Sequence, residues 1–201
     1  MLFRSAYAHL PERFKPQRRI HTQDLPPAAS KLVMLSSAMR VLMAAGYVYV
    51  GMDHFALPTD ALAVAKRQGR LHRNFQGYST QPDCDLIALG VSSIGRVGPT
   101  FSQNVKTLDE YYDLLNHGRL PVVRGMALSR DDLVRRTVIM ALMCQGSVLF
   151  ESVELSHLVN FKQYFAPEME ALVAMQEQGL LTIDETGIHV TELGWFFVRG
   201  V

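Results

Sequence analysis

The sequence predicts an α/β fold followed by a small helical, winged-helix-like module. A helical apolar pattern over residues 32–43 runs into a short strand at 47–52, the α-then-β order that builds parallel sheets. A second run, Leu86 to Val91, is apolar enough to be buried on both faces, as strands of parallel sheets are. From about residue 121 the character changes to helices, a hairpin and a last helix. The division that follows is residues 1–120 for the α/β part and 121–201 for the module.

Residues 6–29 read as irregular and end at Pro26-Pro27. Ser30 is the expected N-cap of a helix that carries Leu32, Leu35, Met39, Leu42 and Met43 on one face, with Gly46 as its stop. Tyr47 to Met52 reads as a strand, with Asp53-His54-Phe55 just past it. Pro58-Thr59-Asp60 starts a short helix that Gly69 ends. Beyond Val91, the run Ser92 to Arg96 with Gly98 lies past a strand end, where ligands bind in α/β folds. Residues 107–117 form a helix stopped by Gly118. Ser129 and Asp132 make a capping box for a helix that runs to about Gln145. Pro167 opens another that ends at Gly179. Leu180 to Ile183 and Ile188 to Val190 flank a turn with Gly187, a hairpin signal, and Thr191 caps a last helix over 192–198.

At 48% hydrophobic and 19% charged residues, the 201-residue chain can bury a core without covalent staples. The net charge of +1, with no basic run, argues against a nucleic-acid or membrane-surface role for the whole chain. No apolar run approaches the roughly 18 residues of a membrane span, and no signal peptide is evident. Cys84 and Cys144 lie in no metal or disulfide spacing, which points to two structural thiols and the cytoplasm. The abrupt opening, Met1 to Ser5, and the close at Val201 read like cuts through a larger protein.

The chemistry concentrates in Gly51-Met52-Asp53-His54-Phe55-Ala56 and in the run from Leu71 to Gln81, which contains His72-Arg73-Asn74-Phe75-Gln76-Gly77-Tyr78. Cationic, aromatic and amide side chains crowded past a strand suit an anionic, aromatic or adenine-bearing ligand. Arginine pairs bidentately with carboxylates, and phenylalanine offers a stacking face.

These two segments, with Tyr7-Ala8-His9-Leu10-Pro11, Leu89 to Ile94 and Arg124 to Asp132, occur in one order that resembles the oxygen-independent coproporphyrinogen III dehydrogenases. These are radical S-adenosylmethionine enzymes of heme synthesis, and the resemblance covers the chain from residue 6 onward. It implies that residues 1–120 are the C-terminal portion of a partial, open (β/α) barrel. It implies two cofactors, S-adenosylmethionine and a 4Fe–4S cluster held by a CxxxCxxC loop. The implied reaction takes hydrogen from two propionate side chains of coproporphyrinogen III, loses carbon dioxide and leaves vinyl groups, giving protoporphyrinogen IX. The electron acceptor stays open. The family acts as monomers.

Residue by residue, Ala8 and Ile94 match positions that contact S-adenosylmethionine, while Phe75 and Gln76 match the active-site pair. Gln76 can hydrogen-bond a polar ligand edge, and Phe75 can shield a radical from water. His54, His72 and Arg73 are the candidates for the substrate carboxylates, against the plainer reading that they tie down backbone carbonyls. The CxxxCxxC loop is absent, so the chain holds no metal ligands of its own and is expected to bind no cluster and show no turnover alone. The rival in the same superfamily, the heme chaperones, carries a different motif with tryptophan, and the single tryptophan here is Trp195. A nucleic-acid-binding winged helix in 121–201 is disfavoured because Asp131, Asp132, Glu151 and Glu154 offset Arg130, Arg135 and Arg136.

Overall fold

The computed structural model describes the backbone of residues 2–3 and residues 8–81 and 84–200; Ser5, Tyr7 and Val201 lie outside them. The chain forms two compact units, residues 1–80 and 81–201.

In the first unit, β1 (Leu2–Phe3) precedes one-turn 3-10 helices at Lys15–Arg19 and Thr22–Asp24. Helix α1 (Ala28–Ala44) begins two residues before the expected cap, with Pro27 in the cap position and Ser30 inside the first turn. Proline fixes its own φ near helical values and lacks a donor, so it can stand at a helix entry without loss. Gly46 does end the segment, at φ +85°.

Strand β2 (Val48–Gly51) turns back through Met52 and Asp53 into β3 (His54–Ala56), and the sheet order is β1-β3-β2. Both pairings are antiparallel. The expected parallel unit is therefore corrected: Met52 adopts φ +53° and reverses the chain within two residues, whereas a parallel partner needs a long crossover. His54 and Phe55 belong to a strand rather than to a loop beyond one.

Helix α2 (Ala61–Arg67) starts just past Pro58-Thr59-Asp60, as expected, and its cap is Asp60, whose Oδ1 accepts from the Leu62 N–H at 2.9 Å. Strands β4 (His72–Arg73) and β5 (Tyr78–Ser79) form a second, two-stranded hairpin. Val50, Phe55, Leu62, Ala63, Leu71 and Tyr78 are the buried side chains that the two hairpins and α2 contribute, with Leu71 just before β4.

In the second unit, the expected strand Leu86–Val91 is absent. Only Leu86 forms a bridge, to Arg96, while Ile87 and Leu89 are 68% and 80% exposed. The buried side chain of Asn104 donates to the carbonyls of Ala88 and Gly90 and replaces a strand ladder there. Strands β6 (Ile94–Val97), β7 (Thr100–Asn104) and, after α3 (Leu108–Asn116), β8 (Val122–Ala127) make an antiparallel sheet in the order β6-β7-β8. None of these three strands is marked by a pattern in the sequence.

The remainder carries the expected helices and hairpin, together with a strand at 147–149 and helices at 150–157 and 161–164 that the sequence does not reveal. Helix α4 (Arg130–Gln145) carries the capping box, with Ser129 Oγ accepting from the Asp132 N–H and the Asp132 carboxylate accepting from the Ser129 N–H. Gly146 closes it at φ +71°. Strand β9 (Ser147–Leu149) leads through α5 (Phe150–His157), α6 (Phe161–Tyr164) and α7 (Ala166–Glu177) to the hairpin β10 (Leu181–Ile183) and β11 (Gly187–Val190). The sheet order is β10-β11-β9, all antiparallel. Gly187 is required by packing rather than by turn geometry, because a side chain there would collide with the Val148 carbonyl. The last helix is one 3-10 turn, Gly194–Phe197, shorter than expected, and Thr191 Oγ1 accepts from the Gly194 N–H.

One core joins these pieces: Val134, Leu142, Phe150, Phe161, Leu181 and Ile188 are central to it. Arg135 fastens α4 to α7 by pairing with Asp131 and Glu168, while Tyr164 donates to Asp131. These bonds hold both acids below their usual range and raise the Tyr164 hydroxyl.

Candidate functional site

The loop between β4 and β5 is built by one side chain. Asn74 Oδ1 accepts from the N–H groups of Gln76 (2.9 Å) and Gly77 (3.2 Å), and the Asn74 N–H donates to the Gly77 carbonyl at 3.0 Å. This Asx turn closes the hairpin. It leaves Phe75 49% exposed at the tip and Gln76 exposed beside it. The Gln76 carboxamide bonds to no described residue, so its donor and acceptor both remain for a ligand.

Behind the tip, the hairpin packs on β3. The His54 ring meets Tyr78 edge-on at 5.2 Å, and a side chain on Gly77 would come within 3.1 Å of His54 Nε2. Gly51 is required for the same reason, since a Cβ there would collide with the Tyr78 hydroxyl. An Asp53 carboxylate oxygen lies 2.9 Å from His54 Nδ1. Arg73 places its guanidinium 5.0 Å from the Tyr78 ring centre, and its buried Nη1 has no hydrogen-bond partner among the described residues. A buried guanidinium N–H without an acceptor is costly, and a ligand carboxylate would satisfy it. His72 is half-buried and pairs with Ser79 across the hairpin.

His54, Arg73, Phe75 and Gln76 are thus assembled around one hairpin within the first unit, with His72 on its β4 strand. Asp53, Asn74 and Tyr78, which the sequence reading did not select as site residues, hold that assembly. The two glycines in the recognised segments were the available signal. Ala8, also in this unit, is exposed, and its carbonyl accepts from Gln17 Nε2 at 3.0 Å. Ile94 belongs to the second unit. It opens β6 opposite Gln103 and is half-buried, rather than standing in a loop beyond a strand.

Lys66 lies behind β2 and donates to the carbonyls of Tyr49 (3.0 Å) and Val50 (2.8 Å). Burial pushes its ammonium down to about 8.

The exposed Phe75 face and the free Gln76 carboxamide fit an adenine-bearing ligand such as S-adenosylmethionine. An iron–sulfur cluster finds no such fit. Among the described residues no group of three or more His, Cys, Asp or Glu could hold a metal; Cys84 is exposed and Cys144 buried.

Residues 128–197, covering α4 through the last 3-10 turn, match the family model of the HemN C-terminal domain. Over 97% of its length the chain is similar to the C-terminal part of oxygen-independent coproporphyrinogen III oxidases. The protein of that name from Pseudomonas aeruginosa is 47% identical over 198 residues, and the chain covers 42% of it. The Escherichia coli one is 44% identical over 195 residues, with 43% covered. The Thermostichus vulcanus one is 40% identical, with 60% covered. The chain thus spans less than half the length of the first two. A solved structure described as coproporphyrinogen III oxidase (HemN) from Escherichia coli, a radical SAM enzyme, superposes with a TM-score of 0.91 at 44% identity. That match covers 96% of this chain and 44% of the solved one.

Proposed function

We propose that this chain supplies the C-terminal part of a coproporphyrinogen III oxidase. That protein would decarboxylate two propionates of coproporphyrinogen III oxidatively, to protoporphyrinogen IX, in heme synthesis. The carrying observation is the Asn74-capped tip, which presents Phe75 and Gln76 together in a chain 47% identical to such an enzyme.

In this reading Gln76 bonds a polar edge of S-adenosylmethionine and Ala8 contacts it; Ile94, in the second unit, is likewise read as an S-adenosylmethionine contact. Phe75 keeps water from the reacting carbon. Arg73 Nη1 takes a propionate oxygen, with His54 and His72 supplying further contacts to the carboxylates. S-adenosylmethionine, when bound to the whole protein, supplies the hydrogen-abstracting group; the 4Fe–4S cluster belongs to residues this chain does not contain. The first unit forms part of a partial (β/α) barrel, completed along the outer edge of β2. The functional boundary falls at 120/121, and residues 121–201 form a winged-helix-like module. The whole protein acts as a cytoplasmic monomer.

The test joins this chain to the preceding part of the Pseudomonas aeruginosa relative and reconstitutes the product anaerobically. In this completed protein, Phe75→Ala and Gln76→Ala are each expected to lower porphyrinogen turnover at least about 100-fold, while cluster absorbance stays at the parent level. Variants that turn over within about twofold of the parent would refute the assignment.

A further inference from the structure

We infer that Gln17 is a positioning residue for the S-adenosylmethionine contact at Ala8, an inference that rests on the function proposed above. The Gln17 carboxamide spans two backbone groups on either side of His9: Nε2 donates to the Ala8 carbonyl at 3.0 Å, and Oε1 accepts from the Leu10 N–H at 2.6 Å. Its orientation is unambiguous, since a backbone N–H only donates and a carbonyl only accepts. These are the two groups that one residue of a neighbouring parallel strand would engage. Segment 8–10 belongs to no strand. One side chain therefore does for it what a sheet neighbour does elsewhere.

The clamp is itself braced. Gln17 sits in the 3-10 turn Lys15–Arg19, where it alone is half-buried and its neighbours are exposed. Its N–H donates to the Phe14 carbonyl at 2.9 Å, and its carbonyl accepts from Ile20 at 3.0 Å. Arg18 Nε reaches back to the Pro11 carbonyl at 3.1 Å, and the Leu10 carbonyl accepts from both Arg13 and Phe14. Residues 8–20 thus close on themselves, with the Gln17 amide as the link to Ala8.

The consequence for binding is specific. The Ala8 carbonyl already holds a donor, so Ala8 meets the cofactor chiefly through its exposed methyl and the remainder of its peptide. The placement of those atoms depends on Gln17. A ligand bound against a pre-set backbone avoids the ordering cost that a loose loop would impose.

Two measurements separate the clamp from the function. In the 201-residue chain, Gln17→Leu and the near-isosteric Gln17→Met should speed hydrogen exchange of the Leu10 amide at least tenfold, with α4 amides unchanged. In the completed protein, both variants should raise the KM for S-adenosylmethionine about tenfold, the scale of one or two lost hydrogen bonds. Both kcat and the KM for coproporphyrinogen III should stay within about twofold. Gln17→Glu keeps the acceptor for Leu10 but sets a carboxylate oxygen against the Ala8 carbonyl, so it should protect Leu10 and still raise the cofactor KM. Unchanged Leu10 exchange in Gln17→Leu would overturn the clamp. Faster exchange with an unchanged cofactor KM would overturn its role in binding. An unmutated completed protein without turnover would instead defeat the proposed function, and this inference with it.

Discussion

Asn74 Oδ1 accepts the Gln76 N–H at 2.9 Å, and this bond sets the direction in which Gln76 leaves the hairpin. Asn74→Ala removes the acceptor for both Gln76 and Gly77. The expected cost is about 1–2 kcal/mol of local stability, on the scale of one or two backbone hydrogen bonds. In the completed protein turnover should fall about tenfold, and Asn74→Asp, which keeps the acceptor, should retain most of it. Steady-state kinetics of the three proteins checks this.

Lys66 gives a pH signature. Its pKa falls from the ordinary lysine value to about 8 in the folded chain because burial disfavours the charge. The unfolded chain therefore binds more protons between about pH 8 and 10.4, so this group makes stability rise with pH across that window. Urea unfolding of the wild-type chain and Lys66→Met, compared from pH 7 to 10.4, should show the wild type gaining relative to the variant. Parallel pH profiles would contradict it.

Asp184 acts in the same direction over a lower pH window. Thr186 Oγ1 and the N–H groups of Thr186 and Gly187 hold its carboxylate down to about 2. Its contribution is present above its unfolded pKa near 4 and is lost as pH falls toward 2. Asp184→Asn should be less stable than wild type at neutral pH, and the difference should shrink below pH 4. Thermal unfolding at pH 2, 3, 4 and 6 measures it.

Reconstitution of the 201-residue chain alone with iron and sulfide is expected to give no iron–sulfur cluster absorbance, because such clusters need a set of cysteine thiolates. A stable brown protein with four irons per chain would contradict the assignment of the ligands to the preceding part.

The elements that the sequence revealed were those with local chemistry at their ends. Ser129 with Asp132, Asp60, Pro167 and the glycines at 46, 69, 118, 146 and 179 mark boundaries through bonds or backbone angles that a few residues determine. The β6-β7-β8 sheet was hidden because its strands carry no clean alternation: every residue of β8 is exposed, and Gly95 and Gly125 interrupt the pattern. Leu86–Val91 misled for the converse reason. An apolar run looks buried, yet Asn104, far along the chain, decides its course. At the candidate site, the motif displayed His54, His72, Arg73, Phe75 and Gln76, but the packing of Tyr78 against His54 and Arg73 depends on tertiary approach that spacing does not encode.

The most direct measurement is anaerobic incubation of the completed, reconstituted protein with S-adenosylmethionine, an electron acceptor and coproporphyrinogen III, with the porphyrin products read by mass. The expected product has lost two carboxyl groups per porphyrinogen, with two vinyl groups formed. A product of unchanged mass, from a protein with its cluster and cofactor in place, would contradict the proposed function.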